Sequence, residues 1–290
     1  MNDLGSASVS RIGAVTGSIR EALTSATDAL RAAGVEAPRL DAEVLLAEAT
    51  GRDRAALIAS PEDGVDAAAA RAFGAMVRRR LRREPVAYIL GSRGFRRIEL
   101  RCDARALIPR PETELLVDIA LELHPGSALD VGTGSGAIAL AIADELPGCA
   151  VTAVDTSAAA LSLAGENVVA LGLRERVTLE LGPVPSAPRE FDLVVANLPY
   201  VRDDEWPGLA PEITKFEPRE ALTSGPDGLD AIRGLLARLG PGGGLSAAAV
   251  ALEIGFEQGE AVAELVRGAG YADVEVRKDL GGLDRAVIGR

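Results

Sequence analysis

The pattern of apolar and polar residues divides the chain into a helical first part and a later part in which strands and helices alternate. Ile19, Leu23, Ala26 and Leu30 lie on one face of a predicted helix that ends near Gly34. Further helices are predicted from Pro38 to Gly51, over 54–59 and over about 66–83, with the apolar residues Leu40, Val44, Leu45 and Ala47 in the second helix and Phe73, Met76, Val77 and Leu81 in the fourth. The first 85 residues therefore predict a small helical bundle.

The chain changes character after this bundle. Gly91 and Gly94 interrupt it, and residues 95–100 alternate in part, as in a β-hairpin. Pro111 then suits the first turn of a helix. Strands are predicted at 127–131, 150–154, 177–180, 191–196, 247–254, 272–276 and 286–288, and helices near 136–146, 157–171, 228–239 and 257–268.

This alternation predicts an α/β fold, with a mostly parallel sheet covered by helices on both faces. We divide the chain into an N-terminal helical domain (1–85), a hairpin connector (86–107) and an α/β domain (108–290). The 290 residues, 48% of them apolar, suffice for one large and one small core.

Composition restricts the possible chemistry. Cys102 and Cys149 are the only cysteines and His124 is the only histidine, which excludes histidine-dependent triads and predicts no metal site. His124 is expected at a helix end near solvent. Two cysteines, no long apolar span and an acidic Asp3 where a secretory signal would be basic predict a frayed start and a cytoplasmic protein.

The net charge of −12 disfavours a nucleic-acid partner, since a phosphate backbone would be repelled overall. The basic run from Arg78 to Arg83 is the exception. We interpret it as a solvated helix end whose cations face the negative end of the helix dipole, and a partner-binding patch is the alternative.

Asn197, Leu198, Pro199 and Tyr200 directly follow the apolar strand 191–196. A side-chain amide, a stiff X-Pro bond and an aromatic ring at the carboxyl end of a parallel strand are suited to binding a planar nitrogen group. The alternative is a polar turn, because Asn and Pro are common turn residues.

A glycine-rich loop follows the first strand of the α/β domain and predicts a cofactor site. Its residues are Asp130, Gly132, Thr133, Gly134, Ser135 and Gly136. Asp155 ends the next strand, where a carboxylate can accept hydrogen bonds from both ribose hydroxyls of an adenosine. The Gly-x-Gly-x-Gly spacing lacks the extra residue of the dinucleotide fingerprint, so it favours S-adenosylmethionine. The alternative is a turn that only packs helix against strand.

Several segments together resemble the release-factor glutamine N5-methyltransferases of the PrmC/HemK type. They are Glu84–Gly91, Ile108–Glu114, the Asp130 loop continuing to Ala141, Phe216–Arg219 and Gly225–Leu229. The resemblance implies a helical domain that grips the release factor, a hairpin, and a seven-stranded, Rossmann-like class I methyltransferase domain. It also implies methyl transfer from S-adenosylmethionine to the glutamine of a Gly-Gly-Gln motif. Asn197 to Tyr200 would then orient the amide, with Asn197 next to the cofactor, and Arg110, Glu112 and Glu217 would have supporting or purely structural roles.

The chain departs from the family pattern at two points. Leu198 replaces the first proline of the usual Asn-Pro-Pro-Tyr, and we expect it to contribute mainly its backbone carbonyl. Gly182-Pro183-Val184 stands where the family carries an acidic and an aromatic residue near the adenine. Two alternatives stay open: adenine-N6 methylation of RNA or DNA, because Asn-Leu-Pro-Tyr also resembles the motif of rRNA adenine dimethyltransferases, and a non-catalytic relative that binds a protein partner.

Overall fold

The structure, a computed structural model, describes residues 15–187, 189–240 and 242–290. The chain separates into two compact units, residues 1–90 and 91–290. The frayed start predicted for the first residues lies outside the described part. No helix within that part is long and apolar enough to cross a membrane.

The first unit is mainly helical, as predicted. Its elements are β1 (Val15–Ser18), α1 (Ile19–Ala32), α2 (Pro38–Thr50), α3 (Arg54–Ala59), β2 (Gly64–Asp66), α4 (Ala67–Leu81) and α5 (Val86–Leu90). All four residues predicted to form the apolar face of α1 are buried. In α2 the prediction was wrong for Leu40, which is 44% exposed, whereas Ala42, Leu45 and Leu46 are fully buried.

Polar residues define where these helices begin. Ser18 and Glu21 form a capping box at α1, which satisfies backbone N–H groups that have no helical partner. Asp53 and Asp66 cap α3 and α4 through their side chains. The antiparallel pairing of β1 with β2 was not predicted, because three- and four-residue strands leave too short a pattern.

The basic run is partly internal, so our interpretation of it as a solvated helix end was wrong for its central arginines. Arg80 is only 6% exposed and pairs with Asp41 of α2 at 2.7 Å. Arg79 pairs with Glu84 at 2.6 Å and donates to the backbone carbonyl of Tyr88 at 3.1 Å. These arginines tie α4 to the segments that pack on it.

The second unit begins with the predicted hairpin, β3 (Ser92–Phe95) and β4 (Ile98–Arg101). Its other elements are α6 (Glu114–Leu123), β5 (Ser127–Val131), α7 (Ala137–Glu145), β6 (Ala150–Asp155), α8 (Ala158–Ala170), β7 (Val177–Leu181), β8 (Arg189–Ala196), α9 (Pro211–Phe216), α10 (Asp230–Leu239), β9 (Leu245–Glu253), α11 (Gly259–Gly268), β10 (Val274–Lys278) and β11 (Asp284–Gly289). His124 is exposed just after α6, as expected. The short helix α9 was not predicted.

Seven strands form one sheet in the order β10-β11-β9-β8-β5-β6-β7. In this sheet β11 runs opposite to the other six strands. One apolar cluster lies between one face and α6, α7 and the hairpin, and a second lies between the other face and α10 and α11. The predicted α/β fold with both faces covered is confirmed. Because β5, β6, β8 and β9 are parallel, their carboxyl ends meet at one edge of the sheet, where such folds bind ligands.

Candidate active site

A cavity of about 820 Å³ lies at this carboxyl edge. The loops after β5, β6, β7 and β8 line it, together with residues 105–110, Thr113 and one side of α10. Most of the predicted site residues face it, namely Gly132, Thr133, Gly134, Ser135, Asp155, Asn197, Leu198 and Pro199. Asp130, Gly136 and Tyr200 are not among the described residues that line it.

The glycine-rich loop after β5 forms one wall of the cavity. Gly132, Gly134 and Gly136 have φ angles of +74°, +57° and +88°, a region that residues with a Cβ rarely adopt. The backbone N–H groups of Gly132 and Thr133 both donate to the Val154 carbonyl, at 2.9 and 3.0 Å. The loop is therefore fixed against β6 before any ligand binds.

Asp130 lies beneath this loop and is fully buried. Its Oδ2 accepts hydrogen bonds from the Thr133 hydroxyl at 2.6 Å and from the Ala139 N–H at 3.2 Å. Its Oδ1 has no partner within the described residues. Burial raises the pKa of Asp130 to about 7, although the Thr133 hydrogen bond opposes this shift. The carboxyl group therefore holds the loop in shape from the side that faces away from the cavity.

Asp155 lies at the end of β6 and faces the cavity directly. Its two carboxylate oxygens accept from the N–H groups of Gly134 at 2.9 Å and Ser157 at 2.8 Å. Each oxygen has a second lone pair, so the carboxylate can still accept from a diol in the cavity. This arrangement fits the role predicted for Asp155.

The segment after β7 departs from the family pattern and also lines the cavity, from Gly182 to Ser186. The Gly182 N–H donates to the Asp155 carbonyl at 2.9 Å, which holds the segment beside β6. The part of the cavity wall that this segment forms consists of small and apolar residues. Leu235 and Arg238 of α10 also line the cavity.

Asn197 lies immediately after β8, on the wall formed by residues 197–199. Its Nδ2 donates to the Thr113 hydroxyl oxygen at 2.9 Å. Thr113 is 4% exposed and belongs to the Ile108–Glu114 segment. The amide is therefore held by its nitrogen end, and its oxygen is the end available to a ligand.

Leu198 contributes more than its backbone carbonyl. Its side chain is 9% exposed and packs into the apolar cluster under α10. A Cβ added at Gly132 would lie 3.1 Å from the Leu198 Cδ2. The glycine-rich loop and the strand end that carries Asn197 are thus in direct contact, a feature that the sequence did not indicate.

Tyr200 packs behind the described residues that line the cavity and is not one of them. Its phenol O–H donates to Glu253 Oε1 at 3.2 Å, and its carbonyl accepts from Gln258 Nε2 at 3.0 Å. Burial raises the pKa of Tyr200, and the neighbouring Glu253 adds to this shift. The structure places Tyr200 where it supports the geometry of the preceding three residues.

Two further carboxylates are buried near the cavity. Glu217, only 6% exposed, accepts from the Ile108 N–H at 3.1 Å and pairs with Arg110, whose side chain lines the cavity. Glu112 is exposed. Glu253 is 2% exposed at the end of β9. Sequence reasoning missed Thr113 and Glu253. The available signal for Glu253 was a single carboxylate at the end of an apolar strand, the pattern that had pointed to Asp155.

Comparisons with known proteins agree with this architecture. The PrmC N-terminal domain matches residues 21–91, and the methyltransferase small domain matches residues 111–222. The catalytic domain of hMettl16, solved in complex with an MAT2A 3′UTR hairpin, superposes with a TM-score of 0.52 over 66% of this chain and 74% of that one. Its sequence is 14% identical, so it shows the fold alone.

Two curated relatives match nearly the whole chain. A release factor glutamine methyltransferase of Caulobacter vibrioides is 40% identical, and the match covers 93% of this chain and 95% of that protein. A protein of the same name from Cereibacter sphaeroides is 43% identical, with 93% and 97% covered. The chain therefore belongs to the family of release factor glutamine methyltransferases.

Proposed function

We propose that this protein transfers the methyl group of S-adenosylmethionine to N5 of the glutamine in the Gly-Gly-Gln motif of peptide-chain release factors. As a member of its family it is a protein glutamine methyltransferase, with S-adenosylmethionine as methyl donor. The observation that most supports this acceptor is the Asn197 amide, which is held by its nitrogen so that its oxygen can accept from an N–H group.

The residues around the glycine-rich loop fit the donor. The absence of side chains at Gly132 and Gly134 leaves room against the backbone, and the Asp155 carboxylate has lone pairs for the two ribose hydroxyls. Gly182-Pro183-Val184 would contact the adenine through apolar surface and backbone. Asp130 and Gly136 would act indirectly, because they shape the loop from outside the cavity.

The acceptor half must overcome the poor nucleophilicity of a carboxamide nitrogen, whose lone pair is delocalised into its carbonyl. S-adenosylmethionine supplies an electrophilic methyl group on a sulfonium. Asn197 Oδ1 and the Leu198 carbonyl would accept hydrogen bonds from the glutamine N–H groups, aim the nitrogen and stabilise its developing positive charge. Pro199 limits the conformations of the preceding residue and so keeps these two acceptors in a fixed relation.

The proton balance requires no side-chain base. As the new N–C bond forms and the S–C bond breaks, the nitrogen becomes far more acidic, and water can take its proton.

We further propose that the helical domain, 1–85, grips the release factor, and that the hairpin connector, 86–107, joins it to the catalytic domain, 108–290. The net charge of −12 suits a basic protein partner and disfavours nucleic acid. We place the reaction in the cytoplasm, where translation termination occurs.

The deciding experiment measures transfer of labelled methyl from S-adenosylmethionine to a purified release factor. We expect transfer by the wild type and a loss of roughly 100-fold or more in Asn197→Ala, because an acceptor of the N–H groups is removed. Donor binding by calorimetry should stay within about threefold in that variant. Unchanged transfer in Asn197→Ala would rule out the role given to Asn197.

The same assay separates the two alternatives. Labelling of rRNA but of no release factor would favour adenine-N6 methylation. Absence of donor binding by the wild type would favour a non-catalytic relative. The identities with release factor glutamine methyltransferases support neither alternative.

A further inference from the structure

Two side-chain amides that the proposed mechanism does not use hold backbone segments on opposite sides of the cavity. The chain has only three asparagines, Asn2, Asn167 and Asn197, and one glutamine, Gln258. Asn167 and Gln258 are not among the described residues that line the cavity. Each of them nevertheless forms hydrogen bonds to a segment of the site, Asn167 to the glycine-rich loop and Gln258 to the acceptor segment, residues 197–200.

Asn167 lies in α8 and is 1% exposed. Its Oδ1 accepts from the Arg101 N–H at 2.8 Å. Its Nδ2 donates to the carbonyls of Arg101 at 3.2 Å and Ser135 at 2.9 Å. Because Ser135 belongs to the glycine-rich loop and lines the cavity, Asn167 ties that loop to α8 and to the end of β4.

Gln258 repeats this pattern on the acceptor side. It is half-buried and directly precedes α11. Its Oε1 accepts from the Gly255 N–H at 2.9 Å, and its Nε2 donates to the carbonyls of Tyr200 at 3.0 Å and Asp227 at 3.4 Å. The end of the acceptor segment is thus tied to the start of α11.

The two carbonyls that Gln258 binds are the two ends of one loop, residues 201–226. Part of this loop lines the cavity, namely Pro218, Glu220, Ala221 and Thr223. Its ends are packed closely, since a Cβ added at Gly228 would lie 2.2 Å from the Tyr200 carbonyl oxygen and 2.9 Å from Gln258 Nε2. Gln258 therefore closes the base of a loop that contributes to the cavity wall.

Both contacts require an amide, and in one orientation. A rotated amide would turn its oxygen toward two carbonyl oxygens and its NH₂ group toward a backbone N–H. A carboxylate of the same shape can only accept hydrogen bonds. It would keep the bond from Arg101 or Gly255 and lose both donated bonds, leaving carbonyl oxygens without a partner.

We propose that Asn167 and Gln258 are positioning residues that each hold one half of the methyl-transfer site. Asn167 holds the glycine-rich loop through the Ser135 carbonyl, and Gln258 holds the acceptor segment through the Tyr200 carbonyl. The part that concerns Gln258 rests on the proposed function, because the acceptor segment is what orients the substrate glutamine. The part that concerns Asn167 depends only on binding of the donor.

Asn167→Asp and Gln258→Glu form a matched pair. Each keeps the accepted hydrogen bond, removes the two donated ones and adds one negative charge, so each variant is the control for the other. By calorimetry, we expect the Kd for S-adenosylmethionine to rise about tenfold or more in Asn167→Asp and to stay within about threefold of wild type in Gln258→Glu.

Methyl transfer to the release factor, measured at saturating donor, should show the opposite pattern. We expect kcat/KM for the release factor to fall about tenfold or more in Gln258→Glu, because the acceptor segment loses its hold. In Asn167→Asp the KM for the release factor should stay within about threefold. A purely structural loss of stability would impair both variants in both assays.

Two uncharged variants separate the lost hydrogen bonds from the added charge. Gln258→Met and Asn167→Leu have no amide donor and introduce no charge. We expect Gln258→Met to lose as much kcat/KM as Gln258→Glu, and Asn167→Leu to weaken donor binding as much as Asn167→Asp. Wild-type values in the uncharged variants would overturn the inference, since the donated bonds would then be dispensable.

NMR of the ¹⁵N-labelled protein gives a measurement that does not depend on catalysis. With four side-chain amides in the sequence, their signals are few. The Asn197 signals should shift in Gln258→Glu and stay in place in Asn167→Asp. In the wild type, S-adenosylhomocysteine should move the Asn167 signals more than those of Gln258, a comparison that requires no variant to fold.

The outcomes are separable. Equal donor Kd values in Asn167→Asp and Gln258→Glu, or Asn197 signals that do not move in Gln258→Glu, would overturn the inference. If the wild type methylates no release factor, the proposed function fails, and the donor affinities and the NMR comparison then decide the roles of the two amides. If Asn167→Asp does not fold, unmoved Asn167 signals in the wild-type titration would overturn its part.

Discussion

Asp130 and Glu253 are both buried carboxylates near the carboxyl ends of parallel strands, yet they organise the site in different ways. Asp130 takes its hydrogen bonds from Thr133 and Ala139, within ten residues of itself, and holds the shape of one backbone loop. Glu253 accepts a hydrogen bond from the Tyr200 phenol, which lies 53 residues away in the sequence. The local carboxylate holds a backbone loop, whereas the long-range one holds a side chain from a distant part of the sequence.

The largest expected effect concerns the titration of Asp130. Its pKa is raised from 3.8 to about 7 by burial, so the folded state keeps a proton that the unfolded chain has already lost. Its contribution to the free energy of unfolding is complete below about pH 3.8 and declines as the pH rises to about 7. The decline amounts to at most about 4 kcal/mol, at about 1.36 kcal/mol per pKa unit.

Urea unfolding of wild type and Asp130→Asn at several pH values measures this decline. The variant cannot titrate at this position, so its stability relative to wild type should increase from about pH 4 to about pH 8. Parallel pH profiles for the two proteins would show that folding does not raise the pKa of Asp130, and would contradict this prediction.

Gly132→Ala addresses the loop that Asp130 holds. The added methyl group would sit 3.1 Å from Leu198 Cδ2 at a φ of +74°. We expect donor affinity to fall about tenfold, equivalent to about 1.4 kcal/mol, because the loop must move away from Leu198. Gly172→Ala is the control, since its φ is +69° and no atom lies within 4 Å of the added carbon. Equal donor affinities in the two variants would exclude an effect of the Leu198 contact.

Tyr200→Phe removes the hydrogen bond that the Tyr200 phenol donates to Glu253, and so tests the long-range carboxylate of the comparison. We expect a loss of about 1 kcal/mol in unfolding free energy, as is usual for one hydrogen bond, and a fall of about threefold in kcat. Tyr271→Phe is matched, because the Tyr271 hydroxyl also donates a 3.2 Å hydrogen bond, to the Ala247 carbonyl. Thermal unfolding should be similar for both, and kcat should fall in Tyr200→Phe alone.

The smallest effect is expected for Leu198→Pro, which restores the usual family residue. The backbone carbonyl is retained, and the proline ring replaces only part of the packing against Gly132. We expect kcat to stay within about threefold of wild type, at a stability loss of about 1 kcal/mol. A fall of 100-fold in steady-state assays would mean that the leucine side chain itself orients the acceptor.

The predicted fold was largely correct because its signals are local. Apolar-rich runs of about three to eight residues located the sheet strands, and Pro38 and Gly51 marked the bounds of α2. The position of the glycine-rich loop was predictable for the same reason, since its glycines and Asp130 lie close together in the sequence. In contrast, the two strands of the β1–β2 pair are too short to show a period.

The supporting side chains of the site could not be predicted in this way. Thr113 is one letter in a helix-start motif, and its bond to Asn197 spans 84 residues. Glu253 resembles any carboxylate at a strand end until the fold brings Tyr200 to it. Arg80 looked like a solvated cation because its partner Asp41 lies 39 residues away. Long-range pairing depends on topology, which a one-dimensional pattern does not contain.

The contact between Leu198 and Gly132 has a thermodynamic consequence. Donor and acceptor would bind to surfaces that share one packed side chain, so we expect the two binding free energies to be coupled. If the donor changes the affinity for the acceptor by some factor, thermodynamic linkage requires the acceptor to change the affinity for the donor by the same factor. The Leu198 side chain would carry this coupling. Because a proline is more rigid, we expect Leu198→Pro to change the coupling free energy between the two ligands.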